Sequence, residues 1–406
     1  MKVLQINTVF QNGGSTGRIV YDLKNISEKQ GIESYIAYGY NTGNTIDNHV
    51  MEMQSPIMRK ISILKCRIWP RHGFYSAKET KKLIEFIKDI SPDIIHLHNI
   101  HNHYINVEIL FSYIKRSNIP IVWTLHDCWP FTGWCAYFDY AGCDKWKIEC
   151  NHCPNKYEYP YTWFFDLSRS NYNKKEVIFN GVNNLTIVTP SSWLKGIVKE
   201  SFLQDYPVTV INNGVDMSVF HPVKSNVREE YGIGNRKMIL AVAGGLSPRK
   251  GREFLLKLPT LLRDDEVLVL VGLQKGQESL LPQTDKLVGI QRTKTSDELV
   301  GLYSEADVFV NPTLEDNFPT TNIESLACGT PVVTFRTGGS VEVIAPETGL
   351  IAEKGDMNGL LTAIRIVLAK GKAHYTNACR KKAEKDYDKD VQYTKYIDLY
   401  KTLIAH

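Results

Sequence analysis

Short β-branched runs recur along the chain with little polar interruption. KVLQIN, DIIHLH, IPIVWTL and LTIVT occupy the first half; MILAVA, EVLVLV, DVFVN and TPVVT occupy the second. Runs that stay apolar nearly throughout fit parallel strands buried on both faces. Between them lie amphipathic stretches at helical spacing: Ser76–Ile90, Val107–Ser117, Ser192–Phe202, Arg252–Leu262 and Asp297–Ser304. Strand–helix alternation in both halves predicts two doubly wound α/β domains facing each other. The polar, glycine-bearing stretch His221–Lys237 reads as the linker. This gives an N-terminal domain over 1–215 and a C-terminal domain over 216–390. In 391–406, Tyr393, Tyr396, Ile397, Tyr400, Leu403 and Ile404 fall at helical spacing and predict a closing helix packed back on the N-terminal domain.

Composition narrows the class. The 406 residues are 43 % hydrophobic and 23 % charged, as in a folded protein, and the net charge of +4 argues for no nucleic-acid partner. No stretch reaches the ~18 apolar residues of a spanning helix. The start, MKVLQINTVFQNGG, lacks a leader's apolar core, so a cytoplasmic protein is expected. Its eight cysteines are then expected as thiols or metal ligands.

In such sheets ligands bind at the carboxyl ends of the strands, where four loops carry candidate chemistry. After Lys2–Asn7, Gly13 and Gly14 permit close backbone approach at a helix start, although an ordinary turn explains them equally well. His126 in WTLHD suits a sugar hydroxyl or a developing charge, or a structural role. Arg249 and Lys250 in GGLSPRKGREF place cations where a diphosphate would sit. In LEDNFPTTNIESLACGTPVV, Asp316 and Glu324 are separated by seven residues. Thr321-x-x-Glu324 also reads as a capping box, so cap and ligand site both stand on physics alone.

Several longer motifs decide between them. VINNGVDMSVFHP, LSPRKG, ELVGLYSEADVFVNPTLEDNFPTTNIESLACGTPVVTFRTGG and ETGLIAEKGD, with HLHN, TLHD and VTPSSWL earlier, closely resemble glycosyltransferase family 4. The resemblance implies a retaining enzyme of the GT-B fold, with an N-terminal acceptor domain and a C-terminal nucleotide-sugar domain. The family's Glu–seven residues–Glu pair corresponds to Asp316 and Glu324. It implies Glu324 on the nucleotide ribose, Asp316 at the donor sugar, and Asn317, Phe318, Pro319, Thr320 and Thr321 along sugar and diphosphate. Lys250 and His126 join Asp316 as the implied catalytic groups. Two departures stand out: aspartate replaces the first glutamate, beside Glu315, and Gly245 stands where the family carries an arginine. Arg249 and Arg336 are the candidate substitutes. Catalysis without metal is implied, with a saccharide or lipid-linked acceptor in bacterial polysaccharide synthesis. The rival readings are a GT-B phosphorylase, a nucleotide-sugar epimerase and a non-catalytic nucleotide-sugar-binding scaffold.

Two segments fall outside these motifs. An insertion at about 128–161 holds Cys135, Cys143, Cys150 and Cys153, with gaps of seven, six and two. Four thiolates suit a structural zinc, with disulfides and buried thiols as alternatives. The insertion's Trp129, Trp134, Tyr137, Tyr140 and Trp146 suit either sugar stacking or core packing. The segment 56–82 carries Arg59, Lys60, Lys65, Arg67, Arg71, Lys78, Lys81 and Lys82 against Glu79, interleaved with apolar residues. That pattern predicts peripheral attachment to an anionic membrane, whose inner face the family resemblance implies, or else a solvated helix with its apolar side packed on the domain.

Overall fold

The computed structural model describes residues 1–11, 14–40 and 49–405. Among these residues thirteen parallel strands form two sheets. In the first, β1 (Lys2–Asn7), β2 (Glu33–Tyr38), β3 (Val50–Glu52), β4 (Ile94–Leu97), β5 (Ile121–Thr124), β6 (Leu185–Thr189) and β7 (Val208–Val210) run in the order β3-β2-β1-β4-β5-β6-β7. In the second, β8 (Lys237–Val242), β9 (Glu266–Val271), β10 (Leu287–Ile290), β11 (Val308–Asn311), β12 (Val332–Phe335) and β13 (Gly349–Ala352) run in the order β10-β9-β8-β11-β12-β13. Each sheet therefore reverses its strand order once, between β1 and β4 and between β8 and β11. Both are doubly wound, as expected of a GT-B protein.

The strands alternate in what they bury. Val3, Val122 and Val188 face one apolar layer with Ile19, Leu23 and Tyr396, while Leu4, Trp123 and Ile187 face the other. The second sheet has one core, built on Ile239, Leu240, Val269 and Phe309.

The chain divides into two compact units, Met1–Asn212 with Tyr393–His406, and Asn213–Gln392. The passage between them falls at Asn212–Asn213, not in His221–Lys237. That stretch is ordinary structure of the second unit. Val227 and Ile233 are buried in its core. Arg228 is held by Glu305 at 3.3 Å and Asp307 at 3.0 Å. Gly232 and Gly234 take positive φ in the turn that returns the chain to β8.

The last helix, Lys389–Ile404, presents Tyr396 and Tyr400 to the first sheet. There the Tyr400 hydroxyl donates to His96 Nδ1 at 2.6 Å, and His96 Nε2 donates to Thr124 Oγ1 at 2.8 Å. Thr124 in turn donates to the Tyr396 hydroxyl at 3.1 Å. Every polar group in this buried row has a partner, and neutral His96 is what completes it.

Burial, reinforced by neighbouring histidines, lowers the His96 and His98 imidazoles well below the usual range. In the unfolded chain both titrate near 6.5. Below that pH the unfolded state binds protons that the folded state does not, so stability is full above about 6.5 and falls as pH drops. Thermal unfolding followed from pH 7.5 to 5 should show a falling midpoint. A His96→Gln variant, with one less imidazole to protonate, should show a shallower fall.

Candidate functional site

In the second unit the crossovers on either side of the strand-order reversal leave in opposite directions. The carboxyl ends of β8 and β11 are left as a crevice. A cavity of about 80 Å³ lies there, lined by Ala243, Gly244, Lys250, Asn311, Pro312 and Thr321 among others. Two loops close on it. The first, after β8, turns through the single 3-10 turn Pro248–Lys250. The Gly251 φ of +77° then lets the chain pass within reach of the Pro312 carbonyl; a Cβ at 251 would sit 2.0 Å from that oxygen. The second loop, after β11, carries Thr313–Pro319 into the helix Thr320–Ala327.

The loops are stitched to each other. The Leu314 amide donates to the Arg249 carbonyl at 2.9 Å, and Arg249 Nη1 donates to the Glu315 carbonyl at 2.8 Å. Lys250 Nζ pairs with Asp316 Oδ2. Of the two adjacent acids, Asp316 meets the lysine and Glu315 is buried. Asp316 is also fixed from behind. Its carbonyl accepts the Gly339 amide at 3.1 Å, and a Cβ on Gly338, at φ +50°, would lie 1.9 Å from that oxygen.

Glu324 is placed differently from a capping residue. The helix starts at Thr320, its N-cap is Pro319, and no side chain caps it. The Thr321–Glu324 capping box is therefore absent, because Pro319 already sets the entry and Thr321 lies inside the first turn. Instead the Tyr303 hydroxyl donates to Glu324 Oε2 at 2.9 Å. Burial, followed by the Glu324 charge, raises the Tyr303 phenol well above its usual range, so it stays a donor. With no side-chain cap, the first N–H groups of this helix suit an anion.

The remaining residues read from the sequence sort plainly. Thr321 lines the cavity with Lys250. Asn317 is buried beside Phe318, whose ring packs 5.9 Å from Tyr387, so Phe318 faces the core and only its backbone is left for a ligand. Arg336 pairs with Glu353 at 2.9 Å on the surface, so it supplies no second cation at the cavity. Gly245 takes φ +100°, a conformation that resists any L side chain, which accounts for glycine at that position.

In the first unit, Gly14 stands at the start of the helix Ser15–Lys29 with φ +88° and open space around it; Gly13 lies outside the described residues. His126 follows β5. Its Nε2 lies 3.0 Å from His98 Nδ1, and His98 Nε2 lies 3.2 Å from Gln5 Oε1. Gln5 Oε1 only accepts, so His98 carries its proton on Nε2 and His126 donates from Nε2. Burial pushes His126 down to about 4, so it is a neutral imidazole at pH 7. Beside it, Asp127 accepts from His101 at 2.7 Å and from the Trp129 amide at 2.9 Å. Burial alone would raise the Asp127 carboxyl, yet His101 and that amide hold it below the usual carboxylate range.

The cysteine-rich insertion is packed rather than open. Trp129, Trp134 and Trp146 are buried, which assigns them to the core and not to sugar stacking. Lys175 braces the insertion by donating to the Trp129 and Thr132 carbonyls at 2.7 and 2.9 Å. None of the eight cysteines is in a disulfide. Cys135 shares a hydrogen bond with Cys153, and the Gly133 amide donates to Cys150 Sγ at 3.2 Å. Among the described residues no three His, Cys, Asp or Glu side chains are grouped as a metal site requires.

Sequence reasoning missed Tyr303 and Gly338, whose roles appear only when distant segments meet. It also treated 56–82 as one basic surface. The helix Pro56–Ile68 in fact divides its cations. Arg59 and Arg67 line a separate cavity of about 220 Å³, while Lys60 and Lys65 are exposed. The packed alternative for this helix is overturned, since Ile57 is 72 % exposed and Leu64 50 %. Beside it Trp69 meets Phe165 at 4.8 Å between rings, and Phe164 is 66 % exposed.

Comparison with known proteins finds family models matching both units. The family model "Glycosyltransferase Family 4" matches residues 16–219, and "Glycosyl transferases group 1" matches residues 223–386. WcaC of Escherichia coli (strain K12), named for colanic acid biosynthesis, is 26 % identical over 371 residues, covering 86 % of each chain. Among solved structures, sucrose-phosphate synthase from Thermosynechococcus elongatus aligns over 100 % of both chains with TM-score 0.76 at 17 % identity. HepE of Anabaena, solved with UDP-glucose, aligns over 99 % of this chain and 100 % of its own with TM-score 0.66 at 16 % identity. These neighbours share the GT-B fold, and with half of its length under one family model the chain belongs to glycosyltransferase family 4.

Proposed function

We propose that the protein transfers a sugar from a nucleotide-sugar donor to a saccharide or lipid-linked saccharide, in the synthesis of a bacterial surface polysaccharide, with retention of anomeric configuration and without a catalytic metal. The observation that carries this is the Lys250–Asp316 pair beside an uncapped helix N-terminus at the β8/β11 reversal. WcaC's name supports the polysaccharide, and the HepE complex supports a nucleotide-sugar donor.

The chain's own groups supply the chemistry. A donor diphosphate competes with Asp316 for Lys250, so the lysine exchanges one anion for another as the donor enters. Asp316 is then released to accept from a sugar hydroxyl, as a positioning group. Glu324, steadied by Tyr303, accepts from the ribose. As the glycosidic bond breaks, charge grows on the leaving diphosphate, and Lys250 with the helix N–H groups stabilises it. His126, whose one proton is donated to His98, is assigned to accept from a hydroxyl of the sugar or the acceptor.

The test is nucleotide release from UDP-, GDP- and ADP-sugars, with the product's anomeric configuration read by NMR. Retention is expected, and an inverted product overturns the mechanism. Lys250→Ala should lower turnover by about 10². Glu324→Gln keeps an acceptor for Tyr303, so its stability should match the parent while donor binding weakens; full activity would reduce Glu324 to a partner for Tyr303. Glu324→Ala should also lose about 1–3 kcal/mol of stability by orphaning a buried hydroxyl.

Peripheral membrane attachment belongs to the same proposal. No helix among the described residues is long and apolar enough to cross a membrane. What supports surface binding is the apolar face of Pro56–Ile68 with Trp69, Phe164 and Phe165, flanked by Lys60 and Lys65. Each cation at an anionic surface contributes about 1 kcal/mol. Co-sedimentation with phosphatidylserine vesicles should be strong at low salt, weak at high salt and reduced by Ile57→Ser with Leu64→Ser. Binding indifferent to these changes would refute attachment through this helix.

A structural zinc on Cys135, Cys143, Cys150 and Cys153 is also proposed; it requires the four thiols, of which Cys135 and Cys153 share a hydrogen bond, to draw together around the metal. Elemental analysis of protein purified without chelator should find about one zinc per chain; finding none removes it.

A further inference from the structure

The 220 Å³ cavity belongs to the first unit, and its lining does not include His126. At about 30 Å³ per water, the space has room for a polyatomic ligand. Arg59 and Arg67 line it. The Arg59 guanidinium lies 3.4 Å over the Tyr40 ring, and that of Arg67 lies 4.6 Å over Tyr161. Stacking of this kind fixes the guanidinium plane and leaves its N–H edge for a ligand. Among the described residues, neither guanidinium has a carboxylate partner.

His72 adds an observation independent of charge. It is 2 % exposed, and it lines the same cavity. Its Nδ1 accepts the Asn102 amide at 3.3 Å, so the neutral ring carries its proton on Nε2. Nε2 is buried and has no partner among the described residues; His103 Nδ1 is in the same condition. Burial, then the charges of His101, Arg59 and Arg67, pushes His103 down to about 4, and burial first of all lowers His72 well below its usual range. The lining therefore combines two fixed cations with neutral imidazole nitrogens, one of them an unanswered donor. Buried donors require acceptors, and two cations require negative charge.

Resting on the glycosyl-transfer reading above, we infer that this cavity is a phosphate-binding subsite for the acceptor. A phosphoryl group offers oxygens in three directions, enough for two arginines approaching from different sides, whereas a carboxylate offers two in one plane. The phosphate is carried either by a soluble sugar phosphate or by a lipid diphosphate. The exposed apolar residues Ile57, Ile61 and Leu64 lie on the same helix as Arg59 and Arg67, so a lipid tail has a surface beside its head group.

The test is calorimetric titration with inorganic pyrophosphate. Lys250→Gln is used as the background, so that the donor site contributes little. That protein should still bind pyrophosphate, and adding Arg59→Gln with Arg67→Gln should weaken binding by about tenfold or more with the thermal midpoint unchanged. An affinity unaffected by the two arginine changes, or no binding by the Lys250→Gln protein, overturns the subsite. Geranyl diphosphate distinguishes the sources. Binding about tenfold tighter than pyrophosphate, lost with the same two arginines, assigns the phosphate to a lipid-linked acceptor, and equal binding assigns it to a soluble one. The titration involves no sugar transfer. A chain that fails every nucleotide-release assay can still pass it, and an active transferase can fail it.

Discussion

The reversal of strand order between β8 and β11 is the constraint on which the second unit's chemistry depends. Two parallel crossovers that leave adjacent strands toward opposite faces cannot cover the strand ends between them. The opening has to be furnished by loops, and those loops are held by backbone contacts that tolerate no side chain. Gly251 lies against the Pro312 carbonyl and Gly338 against the Asp316 carbonyl. A β-carbon at either position would push the loops apart by more than the reach of a hydrogen bond allows. The Lys250–Asp316 pair is thus set by glycines remote from it in sequence.

The two charged places in the molecule differ in how their cations are satisfied. Lys250 is already neutralised by a carboxylate, so a ligand there must displace a partner, and binding becomes an exchange of anions. Arg59 and Arg67 rest on aromatic rings, which attract the cation without neutralising it. An exchanging site discriminates between anions, because the incoming one must outcompete aspartate. A stacked site holds its geometry before the ligand arrives and loses little side-chain entropy on binding.

Much of this was legible in the chain. The uninterrupted apolar runs gave eight of the strands because strands buried on both faces have no polar alternation to confuse them. β3 and β7 escaped because three residues carry too little pattern, and β2, with Glu33 and Ser34 at its start, lacks a clean run. The linker was misplaced because glycine and charge look alike in a hinge and in a tight turn, and only burial of Val227 and Ile233 separates them. Asp316 and Lys250 were singled out through the family resemblance, and the structure pairs them. Tyr303 was not singled out, since it lies 21 positions before Glu324 and meets it only when their two helices pack. The helix Pro56–Ile68 was recognised as amphipathic, yet sequence could not say which cations turn inward; that depends on where Tyr40 and Tyr161 lie.

The composition of the first unit bears on how such enzymes are recombined. Its sheet is finished by Asn212, but the helix that supplies Tyr396 and Tyr400 to His96 and Thr124 comes from the far end of the chain. The second unit is thus an insertion within the first, not a bead following it. A chimera that exchanges second units must be joined twice, near 212 and near 392. A single crossover would hand the first unit a foreign final helix, and unless that helix also brought hydroxyls to the same register, a buried imidazole would be left without its partner.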